Sequence, residues 1–119
     1  MKYMLLCYDD EEAWAEVGKV AQQTAMEEAV GLTHELHAKG QYLLASPLHP
    51  GSTATSVRVR DGQRVVTDGP FAETKEQLGG VMVLEAADLN HAIQLMSQLP
   101  CMRPGGALEI RSINEEITR

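Results

Sequence analysis

Four ionisable side chains crowd a single Gly-Pro turn in the second half of the chain. Asp68 stands directly before the turn, and Glu73, Lys75 and Glu76 follow it within eight residues. A carboxylate in such a cluster can act as a general acid or base, because burial raises a carboxyl pKa and a neighbouring cation lowers it. Asp68 is also typical of a turn residue whose carboxylate accepts hydrogen bonds from the turn's own backbone N–H groups. Both interpretations stay open at this point.

Under the first interpretation, the loop is an active site carried by a rigid scaffold. Asp68 is the acid/base, Lys75 is its electrostatic partner, and His37 from an upstream helix is a second proton carrier. The residues expected to contact a ligand surround them: Gly69, Pro70, Phe71, Glu73 and Glu76.

The sequence predicts neither a metal site nor a cofactor. His34 and His37 are three residues apart, unlike the four-residue spacing that puts two zinc-binding histidines on one helix face. No glycine pattern for phosphate or dinucleotide binding occurs. Gly69, Gly79 and Gly80 are expected to meet backbone needs, namely a positive φ, a bulge or a close approach.

Length and charge restrict the class of protein. The 119 residues, of 13.0 kDa, predict a single domain over 1–119. The formal net charge of −7 argues against general binding to nucleic acid or an anionic membrane, which needs a basic footprint. No apolar run approaches the roughly 20 residues of a membrane span, and the N-terminus lacks a cleavage site. We therefore expect a cytoplasmic protein that binds neither nucleic acid nor membrane.

The hydrophobic pattern places these residues on definite elements. Asp88 is a good helix N-cap, and Gly40 follows a cationic last turn, as is usual after a helix. The helix after Asp88 is expected to pack in the core with one apolar face, made of Leu89, Ala92, Ile93, Met96 and Leu99. The last strand is expected to carry Glu109 and Arg111 on its charged face. The predicted elements, in chain order, are a strand at 3–8, an acidic turn at 9–12, a helix at about 20–39, a strand at 41–45, a hairpin at 53–68, a charged loop at 72–76, a strand at 81–85, a helix at 88–99 and a strand at 107–113.

The hairpin is the clearest local pattern. Asp61-Gly62 predicts a two-residue type I′ turn between alternating strands. That turn places Val57 opposite Val66 and Arg58 opposite Val65. Its three arginines form a local basic patch, for which solvation is the default interpretation and an anionic ligand the alternative.

Without the hairpin, the element order is βαββαβ, which predicts a ferredoxin-like α+β fold. In such a fold both helices pack on one sheet face and leave the other uncovered. The strand at 3–8 is apolar at both parities, so both of its faces are expected to be buried. A second copy of the chain is the expected cover.

The run 68–80, which reads DGPFAETKEQLGG, closely resembles the signature of the DGPF-domain proteins, a branch of the YCII-related family. The opening strand MKYMLL, the hairpin entry TATSVR and the closing strand LEIR are similar to the same family, so the resemblance covers essentially the whole chain. It implies a dimeric α+β barrel, two ferredoxin-like sheets packed face to face. It also implies an association with extracytoplasmic-function sigma factors, near which members are frequently encoded.

The chain departs from the wider YCII-related pattern at two positions. The helix histidine proposed there as a catalytic base corresponds to Ala29, and His37 matches only a secondary histidine. The closing strand has Arg111-Ser112 where the family commonly has Arg-Pro.

Two hypotheses follow. The first is a small-molecule-binding protein or acid/base enzyme of the dimeric barrel type, and the second is a non-catalytic regulatory dimer of a sigma-factor system.

Overall fold

The computed structural model describes residues 1–71, 74–97 and 106–118. Glu73 and Leu99, about which the sequence made predictions, lie outside these ranges. The elements are β1 (Lys2–Asp10), α1 (Glu11–Glu16), α2 (Gly18–Ala38), β2 (Tyr42–Pro47), β3 (Thr55–Arg60), β4 (Gln63–Asp68), β5 (Glu76–Glu85), α3 (Leu89–Met96), β6 (Ala107–Ser112) and α4 (Glu115–Thr118), with a 3-10 turn at Gly51–Thr53.

Four strands form one antiparallel sheet in the order β2-β5-β1-β6. This order and the packing of the helices are consistent with the predicted ferredoxin-like α+β fold. β3 and β4 pair with each other in a separate two-stranded sheet. None of the described helices is long and apolar enough to cross a bilayer.

The core lies between α2, α3 and one face of the large sheet. β1 contributes Tyr3 and Leu5 to this face, because alternate strand residues point the same way. Leu5 and Leu84, which is the β5 partner of Tyr3, are completely buried. The buried cluster consists of Tyr3, Leu5, Leu32, Leu36, Met82, Leu84, Ala86, Ala92, Leu95 and Met96.

The opposite face of the sheet, which we call the open face, is also apolar. Met4 pairs with Val83, and Leu6 pairs with Val81. These four side chains are exposed or half-buried, as is Leu44 beside Val83. β1 therefore has apolar residues on both faces, while the described part of the chain covers one of them.

The predicted hairpin is confirmed in register. Val57 pairs with Val66 and Arg58 with Val65, and both turn residues have positive φ, 52° at Asp61 and 74° at Gly62. A two-residue turn with this backbone matches the twist of its flanking strands.

Two predicted boundaries are wrong. The acidic turn at 9–12 is the end of β1 and the start of the short helix α1, because the Asp10 carboxylate accepts hydrogen bonds from the N–H groups of Glu12 and Ala13 and so caps a helix. β5 begins at Glu76 instead of residue 81, since its two glycines lie inside the strand. The helix predicted at about 20–39 is confirmed as α2, within two residues at each end.

The buried face of α3 also differs from the predicted one. Leu89 and Ile93 were expected in the core but are exposed, while Leu95 is buried beside Ala92 and Met96. The buried stripe is therefore rotated by part of a turn relative to the expected one.

The N-terminus of α3 is fixed by side-chain hydrogen bonds. Asp88 caps it as predicted, accepting from the N–H of His91 at 2.8 Å. His91 Nδ1 accepts from the N–H of Ala87 at 2.9 Å, so in the neutral ring Nε2 carries the proton. Nε2 lies 3.3 Å from Gln41 Nε2, while Gln41 Oε1 is buried with no partner among the described residues. Exchanging the amide N and O of Gln41 lets the His91 Nε2–H donate to Gln41 Oε1.

The turn after β4 depends on Gly69. Its φ is +102°, a backbone conformation that side chains with a Cβ rarely adopt. Its N–H donates to the carbonyl of Ala54 at 2.7 Å, and its carbonyl accepts from the Ser56 hydroxyl at 2.8 Å. These bonds close the base of the hairpin.

We expect Gly69→Ala to lower the free energy of unfolding by about 1–3 kcal/mol, the usual range for a strained non-glycine backbone. No neighbouring atom lies within 4 Å of the added Cβ, so the loss comes from the backbone alone. Gly31→Ala is the matched control, because Gly31 lies inside α2, also has an open Cβ position and does not have positive φ. It should stabilise the protein by about 0.5–1 kcal/mol. Urea denaturation measures the change in the free energy of unfolding for both variants. Equal effects of the two substitutions would contradict a requirement for glycine at position 69.

Candidate functional site

A cavity of about 460 Å³ opens where β1 ends and β5 begins. Antiparallel pairing brings these segments together, with Tyr8 opposite Leu78 and Asp10 opposite Glu76. The cavity is lined by Tyr8, Thr74, Lys75 and Glu76. Two hydroxyls, an ammonium and a carboxylate therefore share one concave surface.

The segment that carries Lys75 is held by its own hydrogen bonds. The Thr74 hydroxyl donates to the Glu76 carbonyl at 2.6 Å, and the Gln77 amide donates to the Thr74 carbonyl at 2.7 Å. In the described part of the chain the Lys75 ammonium forms no ion pair. It is exposed, so its charge is available to an anion in the cavity.

Tyr8 lies on the same sheet face as Met4 and Leu6, and so at the edge of the open face. Its hydroxyl donates to Glu109 Oε1 at 3.2 Å. Leu6 pairs with Glu109, so Tyr8 and Glu109 are diagonal neighbours on adjacent strands.

The pKa of Tyr8 is raised above its ordinary value. Partial burial is the largest cause, followed by the hydrogen bond to Glu109 and the negative charge of that carboxylate, while Arg111 acts in the opposite direction. The phenol is therefore neutral at physiological pH and remains a hydrogen-bond donor.

A bulge shapes the floor of this region. Cys7 pairs with Gly80 and Tyr8 with Leu78, so Gly79 is the extra residue of β5. A Cβ on Gly79 would lie 2.6 Å from Asp9 Oδ2, so the carboxylate occupies the space left by the missing side chain. Bulges are frequent beside active sites, where they re-aim side chains.

Gly80 and Gly69 also meet the predicted backbone needs. A Cβ on Gly80 would lie 3.3 Å from the carbonyl oxygen of Ser46 on β2, which is a close approach, and Gly69 has positive φ.

Two of the predicted site residues, Lys75 and Glu76, line the cavity. Asp68 ends β4 and is exposed, and its carboxylate makes no hydrogen bond or ion pair within the described ranges. Its role as acid/base therefore stays a prediction. Glu73 lies outside the described residues.

The hairpin base holds the other predicted ligand-binding residues. Gly69 and Pro70 are half-buried, and Phe71 is 72% exposed. The Arg58 guanidinium stacks 4.2 Å from the centre of the Phe71 ring. This cation–π contact fixes Phe71 against the hairpin, and none of these residues lines the cavity.

His37 is not close to Lys75. Its ring packs edge-on against Tyr42, 6.1 Å between centroids, and Tyr42 pairs with Leu84. Eight residues of β5 separate Glu76 from Leu84, which corresponds to about 26 Å of strand. The structure thus brings Lys75 and Glu76 together and leaves His37 at the opposite end of the sheet.

Tyr8, Thr74 and Glu109 are the residues that sequence reasoning missed. Tyr8 was counted as part of an apolar strand, and Glu109 as the solvated side of the last strand. Their juxtaposition depends on the pairing of β1 with β6, which no local pattern specifies. Among the described residues, no cluster of histidine, cysteine, aspartate or glutamate could hold a metal ion.

The antiparallel sheet has α2 and α3 packed on one face and a polar cavity at the end of β1. This arrangement belongs to the α+β class of folds. The model of the YCII-related domain matches residues 1–117. The chain is also 32% identical over 114 residues to the "Uncharacterized protein R00369" of Rhizobium meliloti (strain 1021), which covers 95% of this chain and 92% of that protein. The chain belongs to the YCII-related family, as its sequence predicted.

The Tyr8 environment predicts a titration that can be measured. In the wild type, Tyr8 should ionise at a higher pH than an ordinary tyrosine, and Glu109→Gln should lower its pKa, because it removes the negative charge and leaves the phenol only a weaker, neutral acceptor. Ultraviolet absorbance against pH measures phenolate formation, and the difference from Tyr8→Phe isolates Tyr8 among the three tyrosines.

The raised pKa of Tyr8 also makes the stability of the folded state depend on pH in a definite direction. A phenol whose pKa is raised in the folded state stabilises that state below the unfolded pKa, and this contribution is lost as the pH rises through the folded pKa. Identical Tyr8 titrations in the wild type and Glu109→Gln would contradict the proposed coupling.

Proposed function

We propose that this protein binds a small polar metabolite in the cavity at Tyr8, and that it does so as a homodimer. The observation that carries the proposal is the convergence of Tyr8, Thr74, Lys75 and Glu76 on one cavity of about 460 Å³. Polar groups that converge on one concave surface, one of them with a perturbed pKa, are a feature of small-molecule sites, although this cavity is open and its lining is more polar than is usual.

The lining indicates the chemistry of the ligand. The Lys75 ammonium offers donors and one positive charge, which suit a carboxylate or phosphate group. The Tyr8 and Thr74 hydroxyls donate their protons within the protein and offer a ligand acceptor lone pairs. Glu76 offers an acceptor for a neighbouring amine or hydroxyl. The ligand class is therefore a small molecule with an anionic group next to a hydrogen-bond donor.

Tyr8 gives this site a capacity for acid/base chemistry. Its phenol is neutral and donates its single proton to Glu109, so the Tyr8 oxygen is positioned to accept a hydrogen bond from a ligand. In an enzymatic reaction, the Tyr8 phenol would turn from Glu109 to the substrate, donate its proton there and recover a proton from solvent.

The homodimer rests on the open face. Met4, Leu6, Val81 and Val83 form an apolar surface on the central strands, where burial against a second sheet is favourable. Tyr8 lies at the edge of the same face, so a second copy packed there would also enclose the cavity. The narrower assignment to the DGPF branch, the barrel form of the dimer and the link to a sigma-factor system stay predictions from the resemblance.

Ligand binding is tested by thermal shift with a panel of small carboxylates and phosphates that also carry an amine or hydroxyl group. We expect at least one compound to raise the melting temperature of the wild type, and both Tyr8→Phe and Lys75→Gln to abolish that shift. Lys39→Gln is the matched control, because Lys39 is an exposed lysine at the end of α2 whose partner is Glu35. It should retain the shift.

Asp68→Asn separates the cavity from the hairpin base. It should retain the ligand response, because Asp68 does not line the cavity. Loss of the response in Asp68→Asn, with the response intact in Tyr8→Phe, would place the site at the Gly-Pro turn instead.

The dimer is tested by light scattering at micromolar concentration, where the wild type should have twice the 13.0 kDa mass of the chain. Met4→Lys places a charge in the middle of the open face and should produce monomers. Val20→Lys makes the same kind of change on an exposed part of α2 and should leave the dimer intact. A wild-type mass of 13.0 kDa would refute the dimer.

A further inference from the structure

The β3–β4 hairpin carries an apolar surface that the described chain leaves uncovered. Val57, Val59 and Val66 lie on one side of its two strands, which we call the valine face. All three are exposed, and Val59 is 74% exposed. A two-stranded hairpin is at best marginally stable in water on its own and needs packing against another surface.

The two sides of the hairpin differ. The side that carries Arg58 is partly covered by its own chain, through the stacking of Arg58 on Phe71. The base is tied by the bonds of Gly69 to Ala54 and Ser56. The hairpin is thus anchored at one end and shielded on one side, with the valine face free to make contacts.

The hairpin also projects from the body of the protein. The radius of gyration is 16.1 Å, and the longest dimension is 47 Å. A compact domain of this length has a radius of gyration of about 13.5 Å. Because β3 and β4 pair with no strand of the large sheet, the excess is consistent with an extended arm.

Charge indicates what the arm contacts. Residues 55–68 contain three arginines and two aspartates, in a chain whose net charge is −7. The four consecutive carboxylates of residues 9–12 lie at the end of β1 and the start of α1, and Asp10 has the strand parity of Met4 and Leu6 on the open face. The open face is therefore apolar with an acidic group at its end, while the valine face is apolar and carries Arg64, which pairs with Val59.

We propose that the hairpin is an arm that packs its valine face against a second copy of this chain, with Arg64, the arginine on that face, directed towards the acidic run 9–12 of that copy. This contact goes beyond the face-to-face packing of the open faces and rests on the homodimer proposed above. Apolar contact supplies affinity, and the opposite charges set the orientation of the two copies.

The test is the dimer dissociation constant of Val59→Lys/Val66→Lys, measured by sedimentation equilibrium. Both side chains are exposed in the single chain, so the variant should fold, which far-ultraviolet circular dichroism checks. We expect the dissociation constant to rise about tenfold or more, as for changes at the centre of an interface. Val20→Lys is the control, since Val20 is 83% exposed on α2 and should leave the constant unchanged.

A second measurement does not depend on any variant. Hydrogen exchange of the wild type at high and low concentration should show slower exchange of the hairpin amides in the dimer than in the diluted monomer. Exchange that is independent of concentration, or a double variant that dimerises as tightly as the wild type, would overturn the arm.

The outcomes separate the two proposals. A wild-type dimer that survives the hairpin substitutions but dissociates with Met4→Lys retains the open-face dimer and removes the arm. A wild-type monomer at all concentrations removes both. Arg64→Glu tests the charge argument by itself and should weaken the dimer most at low salt, because exposed charges are screened as salt is added.

Discussion

The position of β1 in the middle of the sheet determines most of this structure. β1 pairs with β5 on one side and β6 on the other, and its side chains alternate between the helix-covered core and the open face. Leu5 anchors the core, while Met4 and Leu6 make the open face apolar. Because the strand continues to Asp10, it also delivers Tyr8 to the cavity and Asp10 to the cap of α1. One strand thus links the core, the uncovered surface and the candidate site.

Local sequence patterns were sufficient to predict most of the fold. The hairpin register follows from a two-residue turn at Asp61-Gly62, and the start of α3 follows from the capping carboxylate of Asp88. The errors have physical causes. The strand was expected to begin after the glycines at 79 and 80, whereas β5 begins at Glu76 and contains both of them, one at a bulge and one at a close approach. Leu95 replaced Ile93 in the core because α3 packs at an angle that its own periodicity does not define.

The candidate site was predicted only in part, since it is assembled from distant segments. Lys75 and Glu76 were found because their charges cluster along the sequence. Tyr8 and Glu109 are separated by 101 residues and meet through strand pairing, so neither residue stands out alone. His37 fails to join Lys75 because the helix that carries it reaches the opposite end of β5. Motif similarity identified the family correctly, while the geometry of the cavity comes from the sheet.

The edge strand β2 has a consequence for how this protein behaves at high concentration. Its pairing with β5 shifts between Tyr42 and Leu44, so Leu43 is bulged, and it ends at Pro47, which has no N–H to donate. A bent strand that ends in proline is a poor template for an extended segment of another molecule. Fibril growth from this side of the sheet is therefore disfavoured. The β2 edge therefore resists polymerisation although the neighbouring open face is apolar.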